Sequence, residues 1–317
     1  MGPALQVRPA RTANAAESVL DLVGNTPLLH LSRFQPKDGA DLYAKLEFLN
    51  PGGSVKDRAA LEMIKTAEAT GHLLPGATII EPTSGNTGVG LALVAVMRGY
   101  RVIVVMPEKF TGAKSVVMRA LGAEIVLTPT AQGMLGAISR AKELVAQIPG
   151  SFMPQQFENV ANPAAHYKTT GAEIYAQLGK VPDAVVLGAG TGGTFSGVAR
   201  YLKERGKVHA VLVEPVGSVW GGGPAGLHKT EGIGQPFWPA VIERSLIDEI
   251  LTISDEDSFA AVKELARREA LLVGGSSGAA AHAAKIVAAR LGKGATVVTL
   301  FPDAFERYLG KGIFENL

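Results

Sequence analysis

The sequence contains no cysteine. Disulfides, thiolate metal sites and a cysteine nucleophile are therefore excluded, catalysis must rest on other groups, and a reducing compartment is a natural home. Long apolar runs are also missing: none approaches the roughly 20 residues of a membrane span, and the first residues lack the apolar centre of a secretory signal. We therefore expect a cytoplasmic protein, with no membrane partner and a short N-terminal extension. Excess charge of either sign is absent as well. Lys and Arg number 31 against 29 Asp and Glu, a net charge of +2, and no basic tract carries interleaved aromatics, which argues against nucleic acid as a partner. Among the six histidines no pair has the helical i, i+4 spacing of a zinc site, so no metal is expected.

Glycine, in contrast, is abundant: 38 residues, where average usage is about 7%. That excess predicts many tight strand–helix connections. With 317 residues the chain is long enough for two domains with a well-covered core. Strand-like runs at Leu42 to Leu46, Thr78 to Glu81, Arg101 to Met106 and Glu124 to Leu127 alternate with helical stretches near Ala59 to Ala69, Gly88 to Met97 and Lys114 to Leu121. A second series has strands at Ala184 to Leu187, His209 to Val213, Ile250 to Ile253 and Ala295 to Leu300. Its helices fall near Thr194 to Arg205, Asp255 to Glu269 and Gly278 to Leu291. Alternation of this kind implies parallel sheets covered on both faces. Pro149-Gly150 and Pro154 interrupt the periodicity, so we expect an α/β protein of two doubly wound, mainly parallel units, 41–150 and 151–317, with 1–40 packed on the second.

Lys56 stands in Asn50-Pro51-Gly52-Gly53-Ser54-Val55-Lys56-Asp57-Arg58, between a strand and a helix. The partial positive charge of a helix N-terminus disfavours an ammonium there by a few tenths to about 1 kcal/mol. A lysine short of its usual charge suits Schiff-base chemistry with a carbonyl cofactor, although this stretch alone reads more readily as a surface lysine in a turn. Three glycine-rich loops follow. Thr83-Ser84-Gly85-Asn86-Thr87-Gly88 offers hydroxyls, an amide and helix-start N–H groups, which suit either a carboxylate or a plain N-cap. Gly188-Ala189-Gly190-Thr191-Gly192-Gly193-Thr194 contains G-x-G-x-x-G and suits a phosphate. A dinucleotide is the competing reading, weakened by the motif's place in the second unit and by the loops it would leave without a role. Gly274-Gly275-Ser276-Ser277-Gly278 satisfies the G-x-S-x-G of hydrolases, but no histidine follows Asp303 to complete that chain order.

Together, the Asn50 to Arg58 stretch, Thr83 to Gly88, Gly190 to Thr194 and Gly275 to Gly278 resemble the cysteine synthase and cystathionine β-synthase family, pyridoxal phosphate enzymes of fold type II whose architecture is like the tryptophan synthase β-subunit. The resemblance runs from about Leu20 to the C-terminus. Ile79 to Pro107 reads like cystathionine β-synthase, Glu306-Arg307-Tyr308-Leu309 like cysteine synthase, and Gly221 to Gly234 like bacterial members that join acetylserine to homocysteine. Glu108-Lys109-Phe110-Thr111-Gly112-Ala113-Lys114 departs from the Met-Ser usual in cysteine synthases. The flanks are too short for the haem-binding segment and regulatory domain of animal cystathionine β-synthases.

The resemblance implies that Lys56 carries the internal aldimine and shuttles the α-proton. Asn86 would bond the pyridine 3-oxygen, Gly190, Thr191, Gly192, Gly193 and Thr194 would hold the phosphate, and Ser276 would face the pyridine nitrogen. Thr83, Ser84, Thr87 and Gln156 would bind the substrate carboxylate, with Gly232 on the far wall. A neutral hydroxyl at the ring nitrogen favours elimination at Cβ over transamination. The implied reaction is β-replacement on O-acetylserine by sulfide, in a homodimer. Cystathionine synthesis from serine or O-acetylserine with homocysteine is the near alternative, and a serine or threonine dehydratase or an NAD(P)-binding reductase are distant ones. Substrate would close the site by moving a part at about 102–146.

Overall fold

The computed structural model describes residues 15–110 and 112–309. Most of the expected N-terminal extension, Thr111 of the departing segment and residues 310–317 lie outside the described residues. In chain order the strands are β1 (Leu28–His30), β2 (Asp41–Leu46), β3 (Thr78–Pro82), β4 (Arg101–Pro107), β5 (Glu124–Thr128), β6 (Ala184–Gly188), β7 (His209–Pro215), β8 (Glu249–Ile253) and β9 (Thr296–Phe301). The α-helices are α1 (Lys56–Ala69), α2 (Asn86–Arg98), α3 (Ala113–Ala120), α4 (Gly133–Gln147), α5 (Ala161–Ala165), α6 (Ala172–Leu178), α7 (Gly193–Lys203), α8 (Asp255–Glu269) and α9 (Gly275–Leu291). A six-stranded sheet has the order β1-β2-β9-β6-β7-β8, with β1 antiparallel to β2 and all other pairs parallel. A parallel three-stranded sheet has the order β3-β4-β5. The α/β architecture of two mainly parallel sheets is thus the one the alternation predicts.

The period of two explains how each sheet is covered on both faces. In the larger sheet Leu42, Val186, Val211, Val213 and Val297 share a core with Val262 of α8 and Ala283 and Val287 of α9. The alternate residues Val185, Leu187, Leu212, Val298 and Leu300 face Ile174 of α6 and Phe195, Val198 and Leu202 of α7. In the smaller sheet Ile79, Val102, Val104 and Met106 pack with Ile64 of α1 and Leu91 and Val94 of α2, whereas Ile80, Ile103 and Val105 meet Ala137, Ala141 and Leu144 of α4. Each fully buried aliphatic side chain contributes about 1.5–3 kcal/mol.

One assignment needs correction. The strand at Leu42 to Leu46 is expected with the first unit, but it pairs with β9, Leu42 against Val297 and Leu46 against Phe301. Buried Leu42, Ala44, Lys45 and Leu46 require cover on both faces, which an interior position of the wide sheet provides. Sequence proximity to β3 carries no such information. β1, α4 and the helical run at 161–178 also escape the periodicity. Gly133 and Gly136 weaken the start of α4, and Pro163 with a π-helical turn at His166–Gly171 breaks the later run.

Candidate active site

Lys56 is the first residue of α1. The chain reaches it through a turn closed by Gly53 N–H to Asn50 O at 2.8 Å, with Gly53 at φ 77°, a conformation that glycine adopts without strain. Ser54 Oγ accepts the N–H of Lys56 at 3.2 Å and so satisfies a free donor of the helix start. Val55 N–H donates to Pro302 O at 2.9 Å, and Ser54 bridges Asp303, so the loop is stitched to the end of β9. Beneath it lies a buried ion cluster. Arg58 donates to Glu47 at 2.7 and 2.9 Å and to Glu173 at 2.6 and 2.8 Å, and Lys45 pairs with Glu173 at 2.6 Å. Burial pushes the Glu173 carboxyl up, but hydrogen bonds and charges from Arg58 and Lys45 outweigh it and hold the group at about 2.

Among the described residues Lys56 Nζ makes no hydrogen bond and no ion pair. Burial lowers its pKa, and the charge of Asp303 opposes that only in part. Desolvation, as well as the helix dipole, therefore favours the neutral, nucleophilic form of this amine.

Lys56 lines a narrow cavity together with Gly190, Thr191, Gly192, Thr194, Gly232 and Ser276. The cavity opens where the carboxyl ends of β6 and β9 meet, the side of an α/β sheet on which ligands bind. Bare glycines are required there. A Cβ on Gly190 would lie 2.2 Å from Gly232 O, one on Gly193 would lie 2.1 Å from Asn162 Oδ1, and Gly192 has φ 88°. The start of α7 leaves the N–H groups of Thr194 and Phe195 without intrahelical acceptors. Asn162 Nδ2 donates to Thr191 Oγ1 at 3.0 Å and to Gln156 O at 2.8 Å. His166, fully buried, meets Thr194 Oγ1 through Nε2 at 3.2 Å and Thr170 Oγ1 through Nδ1 at 2.9 Å. Burial, reinforced by the charges of Lys56 and Arg58, holds His166 well below its ordinary pKa, so it acts there as a neutral ring. A cradle of free N–H groups on one cavity with a half-buried, partnerless amine suits a phosphorylated aldehyde.

Ser276, the second residue of α9, also lines the cavity and is nearly fully buried. The other sequence-predicted residues are not walls of this cavity. Thr83 Oγ1 accepts from Gly85 N–H at 3.2 Å, and Thr87 Oγ1 donates to Gln156 Oε1 at 2.6 Å. Gln155 and Gln156 in turn donate their backbone N–H groups to the buried Glu81 at 3.0 and 3.3 Å. Burial raises Glu81 to about 7, although these two bonds favour its anion. The Asn86 amide is engaged by Asp303 at 2.6 Å and Arg307 at 2.5 Å. Glu81, Asn162, His166, Asp303 and Arg307 were not singled out from sequence. Only Glu306 to Leu309 carried any signal, and it concerned resemblance rather than position.

A lysine set against a glycine-rich cradle, between a large and a small mainly parallel sheet, suits a cofactor-dependent enzyme rather than a hydrolase. Residues 19–303 match the family described as pyridoxal-phosphate dependent enzyme, and the chain is a member of it, of fold type II. It is 48% identical to the O-acetylserine dependent cystathionine beta-synthase of Bacillus subtilis (strain 168), over 94% of this chain and 97% of the relative. It is 49% identical to a cysteine synthase of Helicobacter pylori, over 93% and 97%. The crystal structure of the O-acetylserine dependent cystathionine beta-synthase from Helicobacter pylori superposes with a TM-score of 0.91 at 48% identity, covering 95% of this chain and 100% of that one. Membership sets the dinucleotide reading of Gly188 to Thr194 aside. No described helix is long and apolar enough to cross a membrane.

Proposed function

We propose that this enzyme replaces the β-substituent of O-acetyl-L-serine with sulfide, giving L-cysteine and acetate. The observation that carries the reading is the half-buried Lys56, its amine without a hydrogen-bond or ion-pair partner among the described residues, on one cavity with the Gly190 to Thr194 cradle. Bound there, pyridoxal phosphate supplies the electron sink that makes the α-proton of an amino acid acidic. Lys56 would hold the cofactor through Nζ, and the same amine would take the α-proton. Gly190 to Thr194 would bind the phosphate through backbone N–H groups, and Asn86 would donate to the ring oxygen. Ser276 sets a neutral hydroxyl against the ring nitrogen, a weak partner that favours loss of the β-substituent. Thr83, Ser84, Thr87 and Gln156 take the carboxylate, Gly232 limits the far wall, and the part at 102–146 moves to exclude water. α3, within that part, already reaches the larger unit through Lys114 to Glu231 at 3.0 Å.

Homocysteine in place of sulfide is the second reading, favoured by the named activity of the Bacillus subtilis and Helicobacter pylori relatives. Steady-state assays of O-acetylserine and serine, each against sulfide and homocysteine, separate the two. Borohydride should fix the cofactor on Lys56, and Lys56→Ala should take no label and lose activity by several orders of magnitude; a label on Lys114 or Lys168 would reject the site. We further propose a cytoplasmic homodimer, to be checked by fractionation and by sedimentation.

A further inference from the structure

The Asn86 side chain is gripped from two sides by the segment that follows β9. Its Nδ2 donates to Asp303 Oδ2 at 2.6 Å, and its Oδ1 accepts from Arg307 Nη1 at 2.5 Å. The two ends of an amide have nearly the same shape and differ only in donating or accepting. A guanidinium offers donors alone and a carboxylate acceptors alone. Turned over, the amide would set its NH₂ against the guanidinium and its carbonyl against the carboxylate, so these partners admit one orientation. Both are themselves fixed. Asp303 Oδ2 also accepts from Tyr308 Oη at 2.5 Å, its backbone carbonyl accepts from Gly274 N–H at 3.1 Å, and Arg307 donates through Nη2 to Gly52 O. The strap therefore joins the Lys56 loop, the start of α2 and the turn before α9.

We propose that Asp303 and Arg307 are positioning residues that lock the Asn86 amide with its second Nδ2 hydrogen free to donate, so that position 86 can serve only an anionic ring oxygen of the cofactor. The inference rests on the role given to Asn86 above. Without the strap the amide spends part of its time presenting Oδ1, which repels such an oxygen.

The test uses the holoenzyme and follows two properties apart from turnover: the wavelength of its violet absorption and the rate at which cofactor is lost on dilution. Asn86→Ala should shift the band and speed cofactor loss about tenfold, the worth of one hydrogen bond to a charged group. Arg307→Met and Asp303→Asn should reproduce most of both effects, and Arg307→Lys should restore part of them. Combining Arg307→Met with Asn86→Ala should add little to Asn86→Ala alone. Asp303→Asn, nearly isosteric, keeps the test open if Arg307→Met does not fold. Strap variants with wild-type band and cofactor retention, beside an impaired Asn86→Ala, would overturn the proposal while leaving the role of Asn86 intact. So would fully additive losses, which would assign the strap a structural role only. A silent Asn86→Ala with borohydride still labelling Lys56 would remove the role of Asn86 itself, and the strap proposal with it.

Discussion

Replacing Glu81 with glutamine should make stability depend less on pH, by an amount the site defines. Glu81 is 1% exposed and accepts the N–H groups of Gln155 and Gln156. Raising its carboxyl from 4.5 to about 7 withholds roughly 3 kcal/mol from the ionised form. Between those two values the folded protein keeps a proton that the unfolded chain has released, so stability falls as pH rises through this window and levels off above about 7. Asp57, raised by burial from 3.8 to about 7, slopes the same way in both proteins and cancels from their difference. Glutamine cannot ionise. The difference between Glu81→Gln and wild type should therefore move in the variant's favour by roughly 3 kcal/mol from about pH 4.5 to about pH 8.5. The loss of one acceptor costs the variant about 1 kcal/mol at every pH, an offset that leaves the size of this change unaltered. Urea unfolding of both proteins, freed of cofactor, measures it. A difference constant to within about 0.5 kcal/mol across that range, less than pH-linked titration of this carboxyl demands, would refute a buried, titrating Glu81.

Gly190→Ala should weaken cofactor binding at least tenfold by fluorescence titration, because its Cβ meets Gly232 O at 2.2 Å and the loop must shift; unchanged affinity would show that the loop does not hold the phosphate. Arg58→Met leaves buried Glu47 with no ion-pair partner among the described residues, Lys45 acting on it only from a distance, so unfolding free energy near pH 7 should fall by about 3–5 kcal/mol; calorimetry showing a loss under about 1 kcal/mol would mean that the cluster relaxes freely. Thr87→Ala removes the donor to Gln156 and, if the carboxylate grip closes the site, should raise both the O-acetylserine requirement and the pyruvate formed per thioether or cysteine product. A higher requirement with unchanged partitioning would separate the grip from closure.

Most strands were legible because both sheets are covered on two faces and so read as short apolar runs. The run at Asp255–Glu269 was legible to the residue, since Ser254 caps it and acidic residues fill its first turn. The helices behind glycine loops begin earlier than their periodicity: α9 starts at Gly275 and not Gly278, because Gly275 to Ser277 are buried by function-bearing turns rather than by an amphipathic face. Pairing was the illegible part. Nothing in Leu42 to Leu46 names Val297 to Phe301 as its neighbours, and nothing in Asn86 names Asp303. Contacts between distant segments depend on the topology of the whole chain, while propensity and periodicity act over a dozen residues.

The last strand in sequence occupies the middle of the larger sheet, between β2 and β6. During synthesis every other strand leaves the ribosome before β9 exists. Until then β2 and β6 have open edges facing a gap one strand wide, and the Lys56 loop has no Pro302 or Asp303 to lean against. The nascent protein thus holds its reactive amine in an unfinished setting, with unpaired backbone available to neighbouring chains. Insertion of β9 closes these edges and gives the Lys56 loop its support in the same event.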